Sequence, residues 1–191
     1  MFAMLSANAV QANTNTTLSA ESVIELTQAF TVQARAVANA NKGLSWTVGD
    51  TTNYNLDAGF IKGTAVITVR EETEEGFWLN QDLELGMAGQ QKVEILLDKN
   101  TGEVKRIIVN GKEQEKPEVD MEVISMDEDK ITVPAGTFEC IHVVIRDKTK
   151  NEDSDAWVNP QLIPINGLLK NVSPGQMGKV TLELTSFKWA K

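Results

Sequence analysis

The run from Lys130 to Lys150, KITVPAGTFECIHVVIRDKTK, narrows what this chain can become more than any other stretch. Pro134-Ala135-Gly136 is turn chemistry, because proline pre-sets φ and glycine adopts conformations closed to other residues. On either side lie Ile131–Val133 and Thr137–Arg146, both rich in β-branched residues. The second run is apolar on both of its alternating faces, so it reads as a strand near the centre of a sheet with material packed on each side.

The same alternation of strand and turn governs the chain beyond Gly43. Strand patterns fall at Leu44–Val48, Asn53–Phe60, Gly63–Glu72, Phe77–Met87, Gln91–Asp98, Glu103–Val109, Val119–Met126, Ile131–Val133, Thr137–Thr149, Ala156–Val158 and Val180–Trp189. Phe77, Leu79, Leu83, Leu85 and Met87 are spaced to share one face. The clearest hairpin joins Gln91–Asp98 to Glu103–Val109 through Lys99-Asn100-Thr101-Gly102, and Asn110-Gly111 marks another tight turn. Glu113–Glu118 reads as a loop. Asn159–Lys170 is marked by proline and glycine yet apolar, which predicts an ordered loop over a hydrophobic surface.

One helix precedes these strands. Leu18–Lys42 carries Val23, Leu26, Phe30, Ala34 and Val37 as an apolar stripe, with Ser19 placed to cap its start and Gly43 to end it in a left-handed conformation. A helix followed by about ten meandering strands predicts a mainly β (α+β) domain: an N-terminal amphipathic helix packed on a strongly curved antiparallel sheet, a half-barrel. At 191 residues and 41% hydrophobic the chain suffices for one domain with a sizeable core. The expected organisation is a signal-peptide remnant over 1–12, a mature tail over 13–17 and a single domain over 18–191. The leader reading rests on Met1–Ala12 being uncharged, apolar to small, and ending in Val10-Gln11-Ala12. It places the protein in the periplasm or outside the cell.

Several functions are excluded or disfavoured. A net charge of −9 argues against nucleic acid as a partner, since that binding neutralises phosphates with basic clusters. No apolar run approaches the ~20 residues needed to span a bilayer. Cys140 and His142, the only cysteine and only histidine, sit two apart in a strand and so share a face. Their apolar neighbours Phe138, Ile141, Val143, Val144 and Ile145 make packing the expected role, not nucleophilic catalysis, and no second Cys or His exists to complete a metal site. Asp98–Glu103 begins like a calcium loop but lacks the further oxygen ligands, and a hairpin turn explains it. The acidic clusters Glu71-Glu72-Glu74-Glu75, Asp127-Glu128-Asp129 and Glu152-Asp153-Asp155 all coincide with predicted turns, where solvated charge is the default. No catalytic residue, cofactor or metal is expected.

Three motifs, taken in order, resemble a group of exported bacterial proteins of unknown function whose fold is that of the lipoprotein-localisation factors, the LolA/LolB type. They are Trp46-x-x-Gly49-Asp50 followed by Tyr54; Val133-Pro134-Ala135-Gly136-Thr137-Phe138-x-Cys140; and Ala156-Trp157-Val158-Asn159-Pro160 running to Pro164 and Gly167-Leu168-Leu169-Lys170. The resemblance implies a curved half-barrel with its helix against the concave face, a hollow that receives lipoprotein acyl chains in the localisation factors. The resulting expectation is a non-enzymatic periplasmic protein holding a lipid, lipoprotein acyl chain or other apolar moiety. Trp46, Phe77, Trp157, Leu168 and Trp189 are the candidate apolar lining. The alternative is a cell-envelope protein-protein interaction or assembly module with a self-filled core, using exposed strand edges or loops.

Overall fold

The computed structural model describes residues 18–116, 120–175 and 178–191. The expected leader and tail, and the side chains of Phe30 and Val37, lie outside the described residues. Helix α1 spans Ala20–Asn41. Ser19 caps it as the sequence predicts, its hydroxyl accepting from the Ser22 N–H at 3.1 Å. The left-handed residue that ends it is Lys42 (φ 58°) rather than Gly43, and the Gly43 N–H closes the last turn on the Ala38 carbonyl at 2.8 Å.

Eleven strands follow: β1 (Thr51–Ala58), β2 (Ile61–Thr73), β3 (Gly76–Glu84), β4 (Gln90–Leu97), β5 (Val104–Val109), β6 (Lys112–Gln114), β7 (Met121–Val133), β8 (Gly136–Asp147), β9 (Glu152–Val158), β10 (Leu168–Gly175) and β11 (Gly178–Lys188). All belong to one antiparallel sheet in the order β6-β5-β4-β3-β2-β1-β11-β10-β9-β8-β7. Two meanders, β1 to β6 and β7 to β11, are therefore joined where the first strand pairs with the last. The sheet is unclosed, with β6 and β7 at its edges. It is bent as well. The Ala135 N–H in the β7–β8 turn donates to the Leu184 carbonyl of β11 at 3.0 Å, although β8 and β11 stand three strand spacings, ~14 Å, apart along the sheet.

Most of the core lies on one face, joined by Val133 and Cys140 from the other face of the β7–β8 hairpin. In-register rows such as Val143–Ala156–Asn171–Leu182–Leu56 are buried across β8, β9, β10, β11 and β1. Val23, Leu26, Ala34 and Ala38 of α1 join the same apolar cluster, and the helix lies against β4, β5 and β10. It comes close to the backbone at Gly102 in the β4–β5 turn, where a Cβ would come within 2.5 Å of the Ala34 carbonyl oxygen and φ is +67°. Glycine is required there on both counts. On the opposite face Trp78 is clamped between Arg70 and Arg106, whose guanidinium carbons stand 4.9 and 5.5 Å from its ring centroid.

The structure corrects several sequence expectations. Leu44–Val48 is no strand: Leu44 and Trp46 are buried, but in a loop tied to other loops, the Leu44 N–H donating to the Lys99 carbonyl at 2.7 Å. Met87 leaves the face of Leu83 and Leu85 because a 3₁₀ turn at Gly86–Ala88 ends the alternation, and it is fully exposed. Strand β6 occupies part of the expected polar loop, and β10 begins inside the expected 159–170 loop. Both are specified by pairing with distant or already formed strands rather than by local pattern. Most consequentially, Asp127-Glu128-Asp129 and Glu152-Asp153-Asp155 are not turns. The first lies within β7, which runs unbroken for 13 residues, and the second lies in β9. Charged residues are tolerated there because β7 is an edge whose side chains reach water. Strand β8 accordingly sits next to that edge, not at the centre of the sheet.

Candidate functional site

The five residues expected to line a cavity do not converge. Trp46, Phe77 and Leu168 are buried in the apolar cluster, with the Trp46 and Phe77 rings 5.6 Å apart. Trp46 donates its indole N–H to the Ile165 carbonyl at 2.7 Å and Tyr54 its hydroxyl to the Leu168 carbonyl at 3.1 Å. The first and third sequence motifs thus meet: aromatic donors from the start of the sheet hold the apolar 159–170 loop over the core, where Ile163, Ile165, Leu168 and Leu169 are buried. Asp50 completes the arrangement by accepting from the Thr47 and Ala190 N–H groups at 2.9 and 2.8 Å. Trp189 is exposed and reaches the same loop at the Leu162 carbonyl, 3.3 Å away.

Trp157 lies on the other face of the sheet. It belongs to a row that runs in register through six strands: Asp127, His142, Trp157, Lys170, Glu183 and Asn55. Its ring stacks on His142 with centroids 4.5 Å apart and planes inclined by 12°. Lys170 stands 6.0 Å from the ring and pairs with Glu183 at 2.7 Å. His142 Nε2 meets Asp155 Oδ1 at 2.8 Å. The histidine is therefore part of a half-exposed polar row, a correction to its expected place in apolar packing. Cys140, two residues earlier on the same face of β8, is buried in the apolar cluster, so cover on this face gives way to a half-exposed setting between these two residues.

Cys140 behaves as expected. It is buried, its Sγ lies 3.5 Å from the Asp129 carbonyl, and burial, followed by the Asp129 charge, pushes the thiol pKa up. That is the opposite of what a nucleophilic cysteine needs. Asp98, in the loop that superficially resembles a calcium site, is held at about 2 by the Lys105 ammonium and by the N–H groups of Thr101 and Asn100. Among the described residues no cluster of His, Cys, Asp or Glu is arranged to hold a metal ion.

What the sequence did not reveal is the free edge. Strand β7 is hydrogen-bonded to β8 on one side, and among the described residues nothing pairs with its other side. Val123, Ile124 and Met126 are 48%, 45% and 63% exposed. Met126 is the end member of the buried row through Val143, Ala156, Asn171 and Leu182, so the core face runs out to solvent at this strand. Beyond it the strand turns acidic with Asp127, Glu128 and Asp129, all exposed. The Trp157 indole N–H, 2.8 Å from Asp129, holds that carboxyl below its ordinary range, with the Lys130 N–H adding to the effect. A cleft of about 480 Å³ adjoins this acidic half, lined by Glu128, Asp129, Glu139, Ile141, Val158 and Pro160 among others. The signal available in the sequence was the period-two placement of the apolar residues Val119, Met121 and Val123 ahead of the acids, which a turn reading masked.

No protein-family model matches the chain, and no curated protein matches it. Among solved structures it is similar to a chain of the Pseudomonas aeruginosa MucA/MucB complex, with 9% identity over 87% of this chain and 56% of that one, TM-score 0.47. A crystal structure of MucB aligns with 10% identity over 91% of this chain and 60% of its own length, TM-score 0.42. A protein from Bacteroides fragilis, described as exported and with a YmcC-like fold, aligns with 12% identity over 76% of this chain and 98% of its own, TM-score 0.37. The chain spans about 60% of the MucB structures' length.

Proposed function

We propose that this protein is an exported, non-enzymatic interaction module of the cell envelope, a curved half-barrel with its helix on the concave face, that docks a partner protein along the free edge of β7. The observation that carries the reading is a 13-residue strand whose outer side is unpaired among the described residues, with three large apolar side chains exposed on it. Soluble proteins ordinarily shorten, bulge or cover such an edge because it templates pairing with another chain. Here the one bulge, between Val123 and Ser125, leaves nine residues of regular strand beyond it. Strand addition gains main-chain hydrogen bonds along the edge and side-chain contacts on both faces.

The reading of a lipid or acyl chain in the hollow has less support. Three of its five lining residues are packed among other core side chains, Trp157 is engaged by His142 and Asp129, and Trp189 is exposed. Two experiments separate the readings. A photo-crosslinking residue at Met126 should give a discrete protein adduct in cells that is absent when the same residue replaces Thr181, a strand position away from the edge. Equal adducts at both positions, or none at Met126, refute edge docking. Lipid co-purifying in stoichiometric amount, seen by native mass spectrometry, would favour the hollow instead.

A further inference from the structure

We infer that the segment docked by β7 is an extended strand whose first half is basic and whose second half is apolar. This rests on the edge-docking reading and adds the chemistry of the partner. All ten strand pairings of the sheet are antiparallel, so an added strand in the same sense starts opposite the C-terminal end of β7 and finishes opposite its N-terminal end. The edge is polarised along that path. Past Lys130–Val133 at the turn end, Asp129, Glu128 and Asp127 come before Met126, Ile124 and Val123. Lys130 does not offset the acids, because Glu139 already holds its ammonium at 2.6 Å.

The two faces make the requirement more specific. Glu128 and Met126 lie on the core face, in rows continued inward by Ile141 and Val143. Asp127 lies on the other face, in the row that contains His142 and Trp157. A partner therefore needs lysine or arginine on both sides of its first half, and valine- or isoleucine-like residues on the core side of its second half, where they extend a row already buried in this chain. The cleft beside Glu128 and Glu139 gives the long stem of one such basic side chain an apolar floor at Ile141 and Val158. A second copy of this chain is the poorer occupant. Its edge brings the same three acids, and two molecules of net charge −9 repel.

The test uses the full chain and a synthetic peptide, acetyl-Thr-Lys-Lys-Lys-Val-Thr-Val-Thr-amide, with a Glu-for-Lys control, measured by fluorescence anisotropy. Counting the antiparallel alternation out from the Val133–Gly136 pair that closes the turn places the Glu128 N–H on the free side. Glu128→Pro therefore removes a docking donor while keeping the β7–β8 ladder. Met126→Lys serves as a second variant where the proline variant does not fold, as judged by circular dichroism. The lysine peptide should bind, the glutamate peptide should not, and Glu128→Pro should weaken binding at least tenfold. Asp127→Asn with Glu128→Gln should weaken it about fivefold, as should raising salt from 50 to 500 mM. Equal binding of both peptides, or no effect of the Asn/Gln pair, overturns the basic-partner inference, while a surviving effect of Glu128→Pro leaves edge docking intact. Binding unchanged in Glu128→Pro and in Met126→Lys overturns edge docking itself. Sedimentation showing a dimer that Glu128→Pro dissociates would make the occupant a second copy and overturn the inference.

Discussion

Trp46→Phe tests whether the 159–170 loop is held over the core by aromatic donors. The substitution keeps an aromatic ring beside Phe77 but removes the N–H that reaches the Ile165 carbonyl at 2.7 Å in a buried setting. Leaving a buried carbonyl without its donor costs about 1–3 kcal/mol, and the lost part of the indole adds roughly 1 kcal/mol of transfer and packing energy. Ile165 raises the stakes. Its φ of 64° is a left-handed conformation that a β-branched residue adopts only under constraint, at about 1–3 kcal/mol. Once the bond is gone, relaxation of that residue favours release of the loop. The expected loss is about 2–4 kcal/mol in urea unfolding at unchanged m-value, with hydrogen exchange accelerated at Ile163 and Gly167, whose N–H groups bond within the loop. Tyr54→Phe, which frees the Leu168 carbonyl, should cost about 1–2 kcal/mol, and the two substitutions should be non-additive because they hold one segment. A loss below about 1 kcal/mol for Trp46→Phe, or exchange unchanged in the loop, would refute this reasoning.

Other outcomes follow from single contacts. Gly102→Ala should destabilise by about 2–4 kcal/mol in the same assay, since alanine at φ +67° costs about 1–2 kcal/mol and its Cβ forces the helix away from the turn; a change under about 0.5 kcal/mol would mean the helix does not sit there. Asp98 is held at about 2, below its unfolded value of 3.8, so its contribution is complete above the unfolded value and disappears as pH falls toward 2. Asp98→Asn should therefore flatten the stability profile between about pH 4 and pH 2, as read from urea midpoints; an unchanged slope there would be inconsistent with the Lys105 pairing. Cys140 should react with a thiol reagent on the order of a hundred times more slowly in the native protein than in urea, because it is buried with a raised pKa; comparable rates would place it at the surface.

Much of the architecture was legible because it is written in local chemistry. Ser19, the helix stripe through Val23, Leu26 and Ala34, the Lys99–Gly102 turn and the Pro134-Ala135 turn each specify their element within a few residues, and the structure bears them out. The self-packing of Trp46, Phe77 and Leu168 was not legible, since the facing of a residue in a loop or bulge depends on what returns to cover it. Leu168 shows this well: the register shift between Leu168 and Lys170 turns it to the core face while Lys170 joins the polar row.

By itself, then, the sequence determined the helix near the start and the antiparallel run of strands after it, with a cysteine placed for packing, because propensity, period and turn residues act over short distances. Only the tertiary structure decided which strand is the edge. Strand β7 has an apolar, β-branched beginning and an acidic middle, a pattern that reads as strand, turn, strand when taken alone. Pairing with β8 from Met121 to Val133, with one bulge, makes it continuous, and the joining of β1 to β11 at the centre leaves it with no partner strand on its other side among the described residues. An edge is a property of strand order, and strand order is set by long-range pairing.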